Sequence, residues 1–273
     1  MLRTMINAAV SMNEVQKQLD IISNNIANSE TTGYKTKNTR FSELIRQQFN
    51  QVDENNQQVT DSRLTPDGLR LGTGTMVNAS VNSLQGSIKE TGRDLDIAFS
   101  APSQYLQINA AGNVRYTRDG SLYLQPGANN NQVQLVTKEG YPVLDENGNA
   151  IVLNSNFSDI SINKNGTLTA ISRNNQPNQQ FNLGVVQVNN SSALVSEGDN
   201  LFSIDGNYQG IALTALNGAD RQNIQLQQGA LETSNVDISK EMTDLMTTQR
   251  AYQLNSRTIT MGDQMLGLIN QVR

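Results

Sequence analysis

The chain of 273 residues contains no cysteine, no histidine and no tryptophan. Without cysteine there can be no disulfide framework, thiolate nucleophile, zinc knuckle or iron–sulfur cluster. Without histidine there is no imidazole base, no histidine-ligated metal and no Ser-His-Asp triad. Most hydrolase and metalloenzyme chemistries are thereby excluded, and no cofactor is expected. Charge is scarce as well. Only 16% of residues are charged, and 20 Lys+Arg against 25 Asp+Glu leave a net charge of −5. No basic stripe exists to neutralise a phosphate backbone, so nucleic acid is not an expected partner. No apolar run approaches the roughly 18 residues that a membrane-spanning helix needs, and no membrane insertion is expected. The start, Met1-Leu2-Arg3-Thr4-Met5-Ile6-Asn7, lacks a continuous apolar segment and a cleavage site, so no cleaved secretory signal is predicted.

Amides fill the space that charge leaves. The chain carries 35 Asn and 26 Gln, more than one residue in five. Amides hydrogen-bond without the desolvation cost of full charges and suit turns and wet subunit contacts, although a lineage bias in composition leaves the same signature. At roughly 150 residues per domain, the length predicts about two domains.

Periodicity divides the chain. From residue 1 to about 28, Leu2, Met5, Ala9, Met12, Leu19 and Ile26 fall on an alternating 3,4 spacing, with Gln16 and Ser23 in two of the slots. Val15 and Ile22 widen that stripe. Asn24, Asn25 and Asn28 then weaken the helix, and Thr31-Thr32-Gly33 should end it. A second helix is predicted over about 236–271. Ile238, Met242, Leu245, Tyr252, Ile259 and Leu266 form its seam, with Gln249, Ser256 and Asp263 in the remaining slots. Met246, Leu254, Met261, Met265 and Leu268 make a further stripe.

Between the helices the period changes to that of strands. Runs such as Tyr105–Ile108, Gln132–Val136, Ile160–Ile162 and Leu183–Val188 alternate with five hairpin-type dipeptides, at Asp119-Gly120, Asn147-Gly148, Asn165-Gly166, Asp205-Gly206 and Asn217-Gly218. The expected fold class is α+β. Long terminal helices would pack as a coiled-coil-like element around a central antiparallel β domain. The expected divisions are a helix and turn over 1–41, an extended and irregular segment over 42–84, the β domain over 85–235 and the second helix over 236–273. Gln85–Gly92 and Gln228–Ser234 echo one another, which marks candidate points of entry to and exit from the β domain. Chance similarity in so biased a composition is the other reading.

Candidate chemistry is sparse. Asp94 and Asp96 would share one face of a strand, as a glycosidase pair would, but no apolar pocket is evident to raise one pKa. Asp145-Glu146-Asn147-Gly148-Asn149 has its glycine at the wrong place for a calcium loop and reads as a turn. Gly72-x-Gly74 lacks the lysine and context of a phosphate cradle. Arg250 and Arg257, seven apart, mark a solvated face or an intersubunit contact. Catalytic and metal-binding residues are therefore none.

Longer motifs carry a resemblance. Ile22-Ser23-Asn24-Asn25-Ile26-Ala27-Asn28-Ser29-Glu30-Thr31-Thr32-Gly33-Tyr34-Lys35, followed by Phe41, resembles the N-terminal signature of the flagellar rod and hook protein family. Glu232-Thr233-Ser234-Asn235-Val236-Asp237, then Gln249 to Ser256 and Asp263-Gln264-Met265-Leu266, resembles its C-terminal motif. Leu71–Gly74, Tyr116–Leu122 and Leu135–Tyr141 are similar to segments of the distal-rod branch. The chain departs from that branch at Phe99–Leu106, where a Gly-x-Gly-Phe-Phe stretch is usual.

The resemblance implies a structural subunit. Its terminal helices would line an inner tube around an export channel, with the β domain as outer layer. It implies a homo-oligomer in a helical assembly, neighbouring rod and hook proteins as partners, and passage through the flagellar type III export apparatus without cleavage. The location would be the basal body, outside the cytoplasm, where the rod carries motor torque to the hook. The assembly residues would be both helix seams together with Asn24, Asn25, Asn28, Gly33 and Tyr34, which turn out of the first helix. The terminal segments would be largely unformed in the monomer. A hook-type subunit, a murein-acting enzyme using Asp94 or Asp96, and a Gln/Asn-rich adhesin are the alternatives.

Overall fold

The computed structural model describes residues 2–49, 69–127, 131–173, 177–204 and 209–272. The chain forms mixed helix and strand, divided into two units, each discontinuous in sequence.

The first unit comprises residues 1–24, 38–79 and 239–273. Its helices are the N-terminal helix, Leu2–Ala27, and the C-terminal helix, Ile238–Val272, which at 35 residues is about 52 Å long at 1.5 Å per residue. Both lie within two residues of the sequence expectation, and both are already helical in the single chain. One buried face on each helix supplies the packing that periodicity alone does not guarantee. Of the segment read as extended and irregular, residues 50–68 lie outside the described residues. Lys37–Phe49 and Leu69–Val81 pair as a two-stranded ribbon, and Gly72-x-Gly74 lies within the second strand. Backbone pairing orders these two strands, and pairing leaves no mark on hydrophobic period.

The second unit, residues 25–37 and 80–238, is the β domain. Every pairing recorded between its strands is antiparallel. Its largest sheet has six strands, in the order Leu194–Gly198, Leu201–Ile204, Asn113–Thr117, Gln104–Ala110, Val185–Val188 and Leu213–Ala215. The period-2 alternation of side chains puts core on both faces of this sheet. Leu106, Ile108 and Val185 join one cluster with Leu122, Leu135, Leu153 and Leu168. Tyr105, Val186 and Val188 join the other with Tyr116, Phe202 and Ile204. Three of the four strand runs singled out in sequence fall inside observed strands, and the fourth, Leu183–Val188, overlaps the strand Val185–Val188.

The echoed segments do mark the entry and exit, because they pair with each other. Ile88–Glu90 runs antiparallel to Ala230–Glu232, with Lys89 opposite Leu231. Turn chemistry is borne out at Asn147-Gly148 and Asn165-Gly166, where the glycines take φ of +83° and +75°. Asn217-Gly218 instead opens a 3₁₀ helix, Gly218–Asn223. Asp205-Gly206 lies outside the described residues. Asp119-Gly120 is no hairpin at all, for reasons given below. Other turns among the described residues carry no such dipeptide. Ala111-Gly112 and Asp199-Asn200 each have two consecutive positive φ values and close two-residue hairpins.

Candidate functional site

The N-terminal helix ends where its sequence turns to asparagine. Asn25 is buried and acts as a clasp, because its Oδ1 accepts from the Tyr34 hydroxyl and the Lys37 N–H, both at 3.0 Å. Its Nδ2 donates to the Lys37 carbonyl at 3.0 Å. One side-chain amide thus imitates a strand partner and folds residues 25–37 into a closed loop. Gly33 sits at the loop's apex with φ +67°, and its N–H donates to the Glu232 carbonyl at 2.8 Å. A Cβ here would come within 2.6–2.7 Å of the Arg118 and Asp119 backbone, so only glycine fits.

Beyond Gly33 the loop enters the β domain as a chain of buried polar contacts. Lys35, Arg118 and Glu232 are each 2% exposed or less. Glu232 binds both cations, Lys35 Nζ at 2.7 Å on Oε1 and Arg118 Nε at 2.6 Å on Oε2. Three charges with a net of +1 are thereby out of water, and carbonyl dipoles hold the surplus. Lys35 donates to Leu84 O at 2.8 Å; Arg118 donates to Gln104 O at 2.6 Å and Ala101 O at 2.9 Å. The guanidinium also lies over the rings of Phe99 and Tyr105. Burial lowers the Lys35 pKa, and Arg118 lowers it further. Burial alone would raise Glu232, but Arg118 and Lys35 outweigh it and hold the carboxyl below its ordinary range.

Neighbouring contacts tie the same strips together. Thr36 donates both its N–H and its hydroxyl to Asn235 Oδ1, at 2.7 and 2.6 Å. Asn235 in turn donates to Leu84 O at 2.8 Å. Thr32 donates to Asp119 Oδ1 at 3.0 Å, and Asn200, on a hairpin tip, donates to Thr32 O at 2.6 Å. This is why Asp119-Gly120 makes no turn. Asp119 is buried with its carboxylate on Thr32 and Ser121, and the Gly120 carbonyl accepts from the Ile97 N–H at 3.0 Å.

Among the described residues, the hydroxyl of buried Tyr105 and Asp96 Oδ1 have no hydrogen-bond partner. Tyr105 lies beside Arg118. Burial pushes its pKa up to about 12, with Arg118 opposing and Glu232 adding. The unfolded tyrosine ionises near 10, so between those values the native state holds the extra proton and stability falls as pH rises. Lys35 has the opposite sign, since its lowered pKa makes stability rise with pH below its unfolded value. Tyr105→Phe is therefore expected to keep or raise stability at neutral pH, by up to about 1–3 kcal/mol, the cost of a buried unpaired hydroxyl. It should also move alkaline unfolding upward. Urea melts at pH 7 and pH 11 measure both; an equal loss at both pH values would contradict this account of Tyr105.

In the first unit the helix faces are the candidate surface. On the N-terminal helix Ala8, Val15 and Ile22 are buried at seven-residue spacing. The expected seam residues Met5, Met12, Leu19 and Ile26 are half-buried beside them, Ala9 is exposed, and the Leu2 side chain lies outside the described residues. Met5 packs on Gly262 of the C-terminal helix so closely that a Cβ there would meet its Cγ at 2.7 Å. Glu14 ties this helix to the ribbon, with Oε2 accepting from the Val77 N–H at 2.7 Å.

The C-terminal helix is apolar on two sides. Leu245, Tyr252, Ile259 and Leu266 are half-buried along with buried Glu241, Thr248 and Gly262. At 3.6 residues per turn, Met246, Leu254, Met261, Met265 and Leu268 fall on the far side, and these are 45–61% exposed. Ile238 and Met242 of the expected seam are also exposed. Arg250 and Arg257 stand exposed to solvent.

Comparison with known proteins places these strips. Residues 5–35 match the family model of flagella basal body rod proteins. Residues 101–170 match that of the flagellar hook protein FlgE/F/G D1 domain, and residues 227–272 that of the flagellar basal body rod FlgEFG protein C-terminal. The flagellar hook-basal body complex protein FlhP of Bacillus subtilis is 63% identical over 274 residues, covering 100% of both chains. The chain belongs to the flagellar basal-body rod and hook protein family. A flagellar basal-body rod protein FlgG of Buchnera aphidicola is 34% identical with 94% of each chain covered. The FlgG of Bacillus subtilis is 31% identical with 97% covered.

Each of the three matched segments of this rod and hook protein contributes to the junction. Gly33 and Lys35 come from the first, Arg118 and Asp119 from the second, Glu232 and Asn235 from the third. Of the residues expected to serve assembly, Asn25, Gly33 and Tyr34 are brought together here, buried inside one chain. Asn24 and Asn28 lie at the helix end, exposed and half-buried. Lys35, Arg118, Glu232 and Asn235 were absent from that expectation, although each stands inside a motif of the resemblance. The signal was available in the scarcity of charge, but no spacing rule pairs residues 35, 118 and 232.

The relatives are structural flagellar proteins, and the chain is a structural component of the bacterial flagellum rather than an enzyme. The geometry gives the enzymatic alternative no support. Asp96 is buried beside Arg93 at 3.3 Å and accepts from Thr91, whereas Asp94 is exposed. Asp145 caps its own turn by accepting from the N–H groups of Asn147 and Asn149. Among the described residues, no helix is long and apolar enough to cross a membrane.

Proposed function

We propose that the chain is an axial subunit of the flagellar rod that polymerises through its terminal helices. The assembled rod carries torque from the motor to the hook. The observation that carries this reading is the C-terminal helix with apolar residues on both sides. A helix apolar on two sides is built to be buried, and a single chain covers one of them. The surface that fits the exposed side is the terminal helix of another copy, in the coiled-coil-like inner tube that the resemblance implies.

The assembly interface on this reading comprises both seams, from Leu2 to Ile26 and from Ile238 to Leu266, widened by the Met246–Leu268 stripe. Asn24, Asn25, Asn28, Gly33 and Tyr34 serve it as the segment that follows the first helix. The rod reading, rather than the hook, draws on the full-length similarity to rod proteins named FlgG. The subunit sits in the basal body outside the cytoplasm, beside neighbouring rod and hook proteins. It reaches that place through the flagellar export apparatus without cleavage.

Helices held by one face open more readily than a two-sided β core. Amide exchange should therefore be faster at Met5–Ile22 and Met242–Leu266 than at Leu106 or Val185 in the isolated subunit. In the assembled rod those helices should reach the protection of the core. Equal protection of the helices in both states would contradict assembly through them.

A further inference from the structure

Four of the eight methionines stand on one helix of the chain and face solvent. Met242, Met246, Met261 and Met265 are 45%, 52%, 51% and 45% exposed, and the last three share the far-side stripe with Leu254 and Leu268. Met5 and Met12 differ, being half-buried on the N-terminal helix, with Met5 seated on Gly262. Thioether side chains suit a face that must fit a neighbour, because they are flexible and apolar. The same sulfur is open to two-electron oxidants while the face is uncovered.

We propose that the Met246–Met261–Met265 row is an oxidation site whose conversion to sulfoxide by peroxide-class oxidants keeps the free subunit out of the rod. The sulfur lone pair attacks one peroxide oxygen and the O–O bond breaks. Sulfur is oxidised to the sulfoxide, and the other oxygen is reduced and leaves, with the protons, as water. The product is a polar, strongly accepting group on what was an apolar strip. Packed against an apolar neighbour, that oxygen has no donor. Once the rod has formed, the row is covered and the reaction is closed off. This inference rests on the reading that the far side of the helix packs against a second copy.

Two measurements test it. The purified full chain is treated with hydrogen peroxide, and each methionine is followed by peptide mass spectrometry. Met246, Met261 and Met265 should oxidise about threefold or more faster than Met5 and Met12, in keeping with their exposure. Equal rates would overturn the site. In a strain lacking the chain, M246Q/M261Q/M265Q imitates the polar product and M246L/M261L/M265L keeps the face apolar. The leucine variant should enter basal bodies as the wild type does. The glutamine variant should fall by about tenfold or more, since its amides meet no partner in the contact. Circular dichroism of both purified variants checks that the subunit still folds. Wild-type incorporation of the glutamine variant would overturn the proposal while leaving the assembly reading intact. Absence of even the wild-type chain from basal bodies would instead remove the assembly reading itself.

Discussion

Replacing Glu232 with alanine is expected to destabilise the subunit by about 3–5 kcal/mol, the cost of leaving buried charge without its counterion. Glu232 is the carboxylate that binds both Lys35 and Arg118, and all three side chains are out of water. Its removal leaves two cations facing one another and also takes away the acceptor of the Gly86 N–H. Against a total stability of about 5–15 kcal/mol, such a loss is a large share. The melting temperature should fall by on the order of 10 °C or more. Lys35→Met is expected to be milder, because the remaining Arg118–Glu232 pair is neutral. Leu84 O keeps Asn235 as donor and Glu232 Oε1 keeps the Gly86 N–H, so the cost is chiefly the lost charge-assisted hydrogen bonds of Lys35, about 1–3 kcal/mol. Urea melts of the two variants give the comparison, and a Glu232→Ala loss no greater than that of Lys35→Met would refute this charge arrangement. The pH dependence has a matching sign. Because the Glu232 pKa is lowered, its contribution is present above the unfolded carboxylate pKa and is lost as pH falls through the folded value.

The second large effect concerns assembly rather than folding. Leu254→Glu with Leu268→Glu should leave the isolated subunit close to wild type, since both side chains are 61% exposed there. In the polymer each would bring an unpaired carboxylate into an apolar contact, at a cost of several kcal/mol per subunit interface. Because every subunit repeats the contact, incorporation into rods should fall below detection and motility with it. Leu245→Ser with Tyr252→Ser makes the useful contrast. Those positions are half-buried within the subunit, so this pair should loosen the helix itself as well as block assembly. Circular dichroism and basal-body composition separate the two effects. Normal incorporation of the Leu254→Glu, Leu268→Glu chain would show that this side of the helix faces nothing in the rod.

How much was legible depended on the range of the interaction that made each feature. The two helices and the four strand runs follow from local period, and they appear within three residues of where the period puts them. Of the buried row of the first helix, Val15 and Ile22 were expected to widen the stripe, and Ala8 was missed. Ala8, Val15 and Ile22 share a wide apolar face with Met5, Met12 and Leu19, and composition cannot say which row is buried deepest. Lys37–Phe49 and Leu69–Val81 gave no period because they are ordered by pairing with one another.

The junction was least legible. Asp119-Gly120 has the chemistry of a hairpin turn, and only the arrival of Thr32 and Gly33, more than 80 residues away in sequence, converts it into a buried contact. The clasp made by Asn25 was seen as a weak helix position, because propensity records what an asparagine costs a helix and not what its amide finds elsewhere. The echo of Gln85–Gly92 in Gln228–Ser234 was the one long-range relation visible beforehand, and it proved to be a strand pair.

The central claim is that this chain builds the rod. Hook–basal bodies purified from a parent strain and from one lacking the chain test it most directly, by composition and by electron microscopy. The account predicts that the chain is present in the parent's basal bodies and that its loss leaves the rod truncated, with no hook beyond it. Basal bodies that lack the chain in the parent, or rods of full length in the deletion strain, would contradict it.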